Sequence, residues 1–376
     1  MTIRETRFDD FEAIGGVLRR NGLSTRTHEQ WAYFWRNRPG QAALEGIPRG
    51  WVLEDAGGTI VGTFGNIALA YDWNGAPVRA AFASGWAVDE SHRAESLGLA
   101  LAFFRQPGVD LLMTTTGHEA TSGAVFEALR AERVPAPSYA ERLVWITGHR
   151  GFAAGQLRRR GMPAADLVGA IVGAAADAVD AVRSGRPEAA SAVEELPRFD
   201  ARFDALWASL RRGSPRLRAV RDAETLAWRF ALEPRAPAIL AVDRSGDIAG
   251  YLVLVRRDDA AARIRRMEVA DLQARGDDPD VVRTLMTAAL AVARRDGVHA
   301  VTVVGHHEIK RRALAALSPR VRPTTRWPLY YRAVQPALRE ALRSPDAWDV
   351  SPYDGDSLWA GISGERARTA VMDARA

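Results

Sequence analysis

Arg93, Ser96 and Gly98 lie where an alternating apolar run, residues 86–88, gives way to a helical pattern. Backbone N–H groups at the start of a helix lack intrahelical acceptors and carry positive partial charge, so they attract phosphate oxygens. The small residues Ala94, Ser96 and Gly98 would let a phosphate approach the backbone, and Arg93 adds a full positive charge. This stretch therefore predicts a pyrophosphate site; an ordinary helix start with a solvated Arg93 is the alternative.

The same stretch resembles the acyl-CoA signature of the GCN5-related N-acetyltransferases (GNAT), in which Gln or Arg is followed by two residues, Gly, one residue, and Gly or Ala. Arg93, Ser96 and Gly98 occupy those positions, with serine where the family usually has glycine. The resemblance implies acetyl-CoA or another short acyl-CoA as co-substrate. It also implies that the strand ending at residue 88 splays from the strand 109–114 to admit the pantetheine arm. The implied binding residues are Trp86, Ala87, Val88, Arg93, Ala94, Glu95, Ser96, Leu97 and Gly98.

A general base must take the proton of the attacking amine, and the candidates are His118, Glu119, Ser84 and Glu90. His118 comes first, because an imidazole titrates near neutrality and the residue follows the end of a strand. Glu119 is equally explained as an acidic residue in a first helical turn. In this family a tyrosine near the thiolate commonly acts as the general acid. Its position here falls on Phe126, which has no proton to donate, so water or Tyr139 remains as the general acid.

The acceptor implied by the resemblance is an amine on a small metabolite or an amino sugar. Trp31, Trp35 and Tyr139 are candidates for lining its pocket, although an aromatic cluster such as 31–35 is also typical of a core. Direct attack by the amine is expected, because the chain has no cysteine and no recognisable serine-nucleophile motif.

The composition argues against several other classes of protein. The chain has 376 residues, of which 47% are hydrophobic and 26% charged, as expected for a globular protein of two domains. The absence of cysteine excludes disulfides and cysteine zinc sites and fits a cytoplasmic location. His306 and His307 are adjacent on a predicted strand and so point to opposite faces, which argues against a metal site.

The net charge of +5 comes almost entirely from arginine, and Lys310 is the single lysine. The arginine runs are not interleaved with aromatic residues, so we expect neither DNA nor tRNA as a partner. The apolar window 164–182 contains Asp166, Asp177 and Asp180, which predicts an alanine-rich helix and no membrane span. The oligomeric state is left open.

Turn and helix signals place these residues in a repeated order of elements. Asn74-Gly75 predicts a tight hairpin, and a strand at 142–147 is expected to close the first half. In the second half, a hairpin over 238–255 and a strand at 264–270 precede a helix at 280–295, in similar order. WVLEDAGGTIVG at 51–62 and ILAVDRSGDIAG at 239–250 share one layout, which predicts an internal duplication.

The predicted fold class is α/β, of the α+β type with mixed sheets, in two GNAT-like lobes, each a central twisted sheet flanked by helices. We expect an N-terminal GNAT domain that binds acyl-CoA (1–150), a helical linker (151–197), a degenerate second GNAT-like domain (198–343) and a C-terminal tail (344–376). Acidic residues at 271, 277 and 278 would repel a pyrophosphate in the second lobe. That lobe loosely resembles those of tandem GNAT-like proteins from bacterial surface-polysaccharide loci.

The expected function is therefore acyl-CoA-dependent N-acyl transfer in a ternary complex. Two alternatives stay open. A Fem-like peptidyltransferase that uses aminoacyl-tRNA also has two GNAT-like lobes, and the basic composition favours it. A non-catalytic acyl-CoA-binding protein is favoured by the missing tyrosine at Phe126.

Overall fold

The computed structural model describes residues 1–36, 38–116, 119–183, 193–212, 214–324 and 328–356. The helices are α1 (Phe11–Arg20), α2 (His28–Arg36), α3 (Ser96–Arg105), α4 (Ala124–Ala128), α5 (His149–Arg159), α6 (Ala165–Arg183), α7 (Ala201–Arg211), α8 (Ala223–Phe230), α9 (Pro279–Arg295), α10 (Glu308–Ala315) and α11 (Pro336–Ala341). The strands are β1 (Thr2–Glu5), β2 (Gly50–Glu54), β3 (Ile60–Trp73), β4 (Ala76–Val88), β5 (Leu111–Thr115), β6 (Glu132–Arg133), β7 (Glu141–Ile146), β8 (Val193–Leu196), β9 (Leu217–Ala219), β10 (Ala238–Arg244), β11 (Asp247–Arg256), β12 (Arg266–Ala274), β13 (Ala300–Val304), β14 (Arg320–Pro323) and β15 (Leu329–Ala333).

The first sheet has the strand order β1-β2-β3-β4-β5-β15-β6, with β9 beside the end of β3. Its longest hairpin, β3–β4, turns at Asn74 and Gly75, both with positive φ, as the sequence predicts. The pair β4–β5 is parallel and is connected by α3. Apolar side chains of α3, such as Leu99 and Phe103, are buried against this sheet.

The second sheet has the order β14-β7-β13-β12-β11-β10-β8. It repeats the same succession of two antiparallel pairs, β10–β11 and β11–β12, followed by a parallel pair, β12–β13, that α9 connects. Both sheets are therefore mixed and flanked by helices, in agreement with the predicted fold class.

The two halves of the chain exchange strands. The strand β7, expected to close the first half, instead pairs with β13 and β14 in the second sheet, so that expectation was wrong. In return, β15 leaves the second half and pairs with β5 and β6 in the first sheet. Each sheet is completed by a strand from the other half, and the boundary predicted near residue 150 stays a prediction.

One hydrophobic cluster joins the two sheets. It contains residues of β3, such as Leu69 and Tyr71, together with residues of β11, such as Tyr251 and Val253. Phe34 of α2 contacts Trp228 of α8, with ring centroids 5.6 Å apart. The lobes thus share buried apolar surface, which is the largest favourable contribution to their association.

Helices α5 and α6 form a closely packed hairpin. A Cβ at Gly173 would lie 2.3 Å from Cα of Arg150, and one at Gly169 would lie 2.4 Å from the amide nitrogen of Ala154. Only glycine permits this approach. The predicted alanine-rich helix is confirmed, and within the described residues no helix is both long and apolar enough to cross a bilayer.

The segment 345–356 lies against both lobes. Trp348, Val350 and Tyr353 are buried, and the hydroxyl of Tyr71 in the first sheet donates to the carbonyl of Asp354 at 2.7 Å. As far as residue 356, the tail therefore contacts the first lobe as well as the second. Residues 357–376 lie outside the described part.

Candidate functional site

The strands β4 and β5 pair over a short stretch and then part. Their parallel pairing covers residues 80–82 of β4 and 111–113 of β5. Beyond Phe82, β4 continues to Val88 without pairing with β5, whereas β5 stays paired with β15 on its other edge as far as Thr115. A gap therefore opens between the C-terminal parts of the two strands, as the resemblance implies. We call it the β4–β5 gap.

A β-bulge lies on the β4 side of this gap. The register of β3 and β4 shifts between the pairs Gly65↔Ser84 and Thr63↔Ala87, so β4 carries an extra residue there. Gly85 has φ +63, a conformation that favours glycine. Bulges often redirect side chains beside functional sites, and Ser84, a candidate base, is half-buried immediately before this one.

Aromatic rings pack beside the gap. The ring of half-buried Trp86 lies 5.3 Å from that of Phe64 and 5.7 Å from that of Phe126. Phe126 is 2% exposed and also contacts Tyr330 of β15 at 5.7 Å. The residue in the family's tyrosine position is therefore a core residue without a hydroxyl.

The turn that we expected to present free amides is more regular than predicted. Residues Glu90–Glu95 form a 3₁₀ helix that continues directly into α3. The amide of His92 donates to the carbonyl of Asp89 at 2.9 Å, and the amide of Ser96 donates to the carbonyl of Arg93. The expectation of unpaired amides throughout 93–98 was therefore wrong at Ser96, because a 3₁₀ helix pairs each amide with the third residue before it.

The charges on this turn are mixed. Arg93 is exposed, and its guanidinium has no ion-pair or hydrogen-bond partner among the described residues. Arg20 bonds Asp89 at 2.6 Å and holds the pKa of that carboxyl below its usual value. Glu90 and Glu95 are also exposed. The turn thus carries three carboxylates, of which Arg20 neutralises Asp89, and Arg93 is the arginine of the turn that has no partner among the described residues.

Small residues on the turn have different surroundings. Ala94 is exposed and leaves the backbone accessible, and Leu97 is 48% exposed. A Cβ at Gly98 would lie 2.5 Å from Cδ1 of Ile3 in β1. Gly98 therefore lets α3 approach the first strand, which is a packing role that needs no ligand.

The candidate bases are only partly described. His118 lies outside the described residues. Glu119 begins a π-helical turn, Glu119–Gly123, that leads into α4. Such turns are rare and often occur at functional sites. This turn follows β5, which borders the gap and ends at Thr115, whereas Ser84 lies within β4 on the other side of the gap.

Of the three predicted acceptor residues, Trp31 and Trp35 lie together, with ring centroids 5.5 Å apart, and Tyr139 packs against a different cluster. Trp31 is 8% exposed, and its indole N–H donates to the carbonyl of Phe8 at 2.9 Å, so it is a core residue rather than a pocket wall. Trp35 is half-buried beneath Arg49, whose guanidinium carbon lies 4.1 Å from the ring centroid. Tyr139 is half-buried on the loop before β7, against the cluster that joins the lobes.

Comparison with solved structures agrees with this geometry. A GCN5-related N-acetyltransferase from Anabaena variabilis superposes with a TM-score of 0.54 at 10% identity, covering 89% of this chain and 73% of its own. A conserved Enterococcus faecalis protein of unknown function superposes with a TM-score of 0.53 at 13% identity, covering 89% of this chain and 72% of its own. This chain has the GNAT fold.

A third GNAT-fold neighbour is Saccharomyces cerevisiae N-myristoyltransferase, solved with myristoyl-CoA and inhibitors. Its TM-score is 0.51 at 12% identity, and 93% of this chain and 84% of that chain are covered. No protein-family model matches the sequence, and no curated protein sequence matches it significantly. The fold is therefore shown by structure alone.

In the second sheet, the position that matches the GNAT gap is filled by the protein itself. The parallel pairing of β12 and β13 covers residues 266–269 and 300–303, after which β12 continues to Ala274. There the Nζ of Lys310 donates to the carbonyl of Leu272 and to Oε1 of Gln273, both at 2.9 Å. Asp271 is bonded to Arg221 at 2.9 Å. Side chains thus occupy this second gap.

Sequence reasoning missed β15, which completes the GNAT sheet beside β5. Tyr330 and Tyr331 of that strand are buried on opposite faces, Tyr330 near Phe126 and Tyr331 near Trp348. The aromatic run LYYRA at 329–333 was the signal for a strand, because tyrosine is enriched in strands. Nothing local to that run says which of the two sheets it joins.

Proposed function

We propose that the chain is an acyl-CoA-dependent N-acyltransferase that transfers an acetyl or other short acyl group to an amine of a small metabolite or amino sugar. The observation that carries the proposal is the parting of β4 from β5 beyond Phe82 within a GNAT fold. A strand edge without a partner offers main-chain groups to an extended ligand such as a pantetheine arm. The myristoyl-CoA bound to the yeast neighbour agrees with an acyl-CoA donor.

In the proposed reaction the acceptor amine attacks the thioester carbonyl, the C–S bond breaks and CoA leaves as a thiolate. A base takes the proton that the amine loses, and water returns a proton to the thiolate, since Phe126 has none to give. Holding both substrates in one cleft makes the step effectively unimolecular and supplies much of the acceleration. No acyl-enzyme is proposed, because the chain has no cysteine.

The two ends of acyl-CoA have distinct proposed contacts. Arg93 binds the pyrophosphate, because its guanidinium has no described partner and lies beside the start of α3. The residues Trp86, Ala87 and Val88 border the gap in which the pantetheine arm would lie. His118 remains the proposed base, because an imidazole titrates near neutrality, with Glu119 and Ser84 as the other candidates.

The lack of cysteine allows a sensitive test of turnover. A thiol reagent such as DTNB detects only CoA released from acetyl-CoA, because the protein has no thiol of its own. The assay is run with a panel of amino sugars and small amines, and with acetyl-CoA alone to correct for hydrolysis. Amine-dependent thiol release supports the proposal, and acetyl-CoA binding without release by any amine favours the non-catalytic alternative.

The assignment of the base has its own test. His118→Ala is expected to lower kcat by about 10²-fold or more while leaving the affinity for acetyl-CoA unchanged, because general-base catalysis contributes at least this much. His28→Ala, which changes an exposed histidine of α2, is the matched control. Unchanged kcat in the His118 variant would move the assignment to Glu119 or Ser84.

A further inference from the structure

A cavity of about 240 Å³ lies between the lobes, away from the β4–β5 gap. It is bordered by the loop after α2, by the middle of β3, by α8 and by Tyr353 of the C-terminal segment. The volume corresponds to that of about eight water molecules in the liquid. It is therefore large enough for a small organic ligand, and nothing in the proposed acyl transfer uses it.

The cavity lies where the edge of the first sheet is interrupted. On this edge the pairing of β2 with β3 ends at Gly65, and the pairing of β9 begins at Tyr71. The backbone N–H of Asn66 donates to the carbonyl of Arg49 at 3.0 Å, and the carbonyl of Ala70 accepts from the backbone N–H of Val220 at 2.9 Å. Both bonds point away from β4.

Peptide groups of alternate residues point to the same edge of a strand. Because Asn66 and Ala70 bond outward on this edge, the N–H and C=O of Ala68 point outward too, and Ala68 lines the cavity. Within the described part of the chain, no strand lies beside Ala68 on this side. One donor and one acceptor of the main chain are thus available to a ligand with a peptide-like group.

Arg38 supplies a cation to the same cavity. Its Nη2 donates to the carbonyl of Leu44 at 3.3 Å, and its buried Nε has no partner among the described residues. Burial, with a smaller contribution from neighbouring Arg49, lowers the pKa of Arg38 to about 10. A half-buried guanidinium without a described carboxylate partner is suited to bind a carboxylate.

Glu224 supplies the opposite charge. It lies in the first turn of α8 and lines the cavity, and its exposed carboxylate has no described ion-pair or hydrogen-bond partner. Asp222, also in the lining, already caps α8 by accepting from the amide of Thr225 at 2.8 Å. Glu224 is thus the carboxylate that remains for a ligand ammonium group.

We propose that this cavity binds a short peptide, with its carboxylate on Arg38, its amide paired with Ala68 and its ammonium group near Glu224. The site is distinct from the proposed acyl-CoA site, because β4 and the opposite edge of β3 lie between them. Residues of both lobes line it, so binding stabilises the arrangement of the lobes by mass action.

Calorimetry with the dipeptide alanylalanine on the full chain tests the proposal, with alanylalaninamide and N-acetyl-alanylalanine as ligands that lack one charge each. Alanylalanine is expected to bind, and Arg38→Met and Glu224→Gln are each expected to weaken it at least about tenfold. Removing the matching charge of the ligand should have a similar effect. Arg160→Met, which removes an exposed arginine after α5, should bind like the native chain.

Measuring each variant with each ligand distinguishes the loss of one specific contact from a general loss of structure. Glu224→Gln should discriminate poorly between alanylalanine and its N-acetyl derivative, yet should still reject the amide. Absence of binding to the native chain would overturn the proposal. If the Arg38 and Glu224 variants bind alanylalanine as tightly as the native chain does, the proposal is overturned as well. Neither result depends on whether acyl-CoA binds.

Discussion

The Nζ of Lys310 lies 2.5 Å from Oδ2 of Asp349, and both side chains are completely buried. This ion pair fastens the C-terminal segment to α10, inside the second sheet's counterpart of the β4–β5 gap. Burial alone would raise the pKa of the Asp349 carboxyl, but Lys310, together with Arg218 and His306, outweighs burial and holds that pKa well below its usual value. The stabilisation is therefore present above the pKa of an unfolded aspartate, about 3.9. This stabilisation is lost as the pH falls through the pKa that Asp349 has in the folded protein.

Lys310→Met is expected to destabilise the protein by about 3–5 kcal/mol, because it leaves a buried carboxylate without its cation. Urea unfolding at neutral pH measures the change. The double variant Lys310→Met with Asp349→Leu should recover much of that loss, since replacing both charges by apolar groups is often close to neutral. A single variant as stable as the native chain would show that the pair does not hold the segment.

His306 predicts a second pH dependence. Burial, reinforced by Lys310, lowers its pKa to about 4, compared with about 6.5 in an unfolded chain. Between these values the unfolded state binds a proton that the folded state does not, so the free energy of unfolding decreases as the pH falls. The loss amounts to about 1.4 kcal/mol per pH unit within this window.

His306→Asn should reduce this slope while keeping the backbone, because His306 has φ +67 and asparagine tolerates that conformation. The slope that remains comes from His299 and His307, whose pKa values burial also lowers. Urea unfolding at pH 7 and pH 5 gives the comparison. The exposed His28→Asn should keep the native slope. If the His306 variant keeps it as well, the histidine is not the group that titrates.

The exchange of β7 and β15 predicts that the first 150 residues do not fold alone. That fragment lacks β15 beside β5 and lacks both partners of β7. We expect it to show no cooperative unfolding and a poorly dispersed amide NMR spectrum, and to fold when co-expressed with residues 151–376. A well-dispersed spectrum of the isolated fragment would mean that the lobes are independent units.

Local signals in the sequence were sufficient for most elements of the first lobe. The Asn74-Gly75 turn determines the register of β3 and β4, and apolar periodicity predicts α1 and α3. The parting of β4 from β5 followed from resemblance, since no periodicity shows where two strands separate. The exchange of β7 and β15 could not be predicted, because it depends on which sheet buries each strand better.

The site was predicted less completely than the fold. Gly98 was assigned to a phosphate, whereas it also makes room for Ile3 from a strand more than 90 residues earlier, a contact that spacing cannot reveal. Trp31 was assigned to a pocket, but its indole N–H is bonded inside the core. Both residues were chosen by type, and their roles depend on long-range packing.

Acetyl-CoA binding to the native chain, measured by calorimetry, tests the central claim most directly. Arg93→Glu with Ser96→Glu should weaken binding at least about tenfold, because it replaces the free cation beside the start of α3 with repulsive charge. Arg105→Glu, at the other end of the same helix, should leave the affinity unchanged. Binding with this pattern is the predicted result; no heat from the native chain, or equal affinity in the double variant, would contradict it.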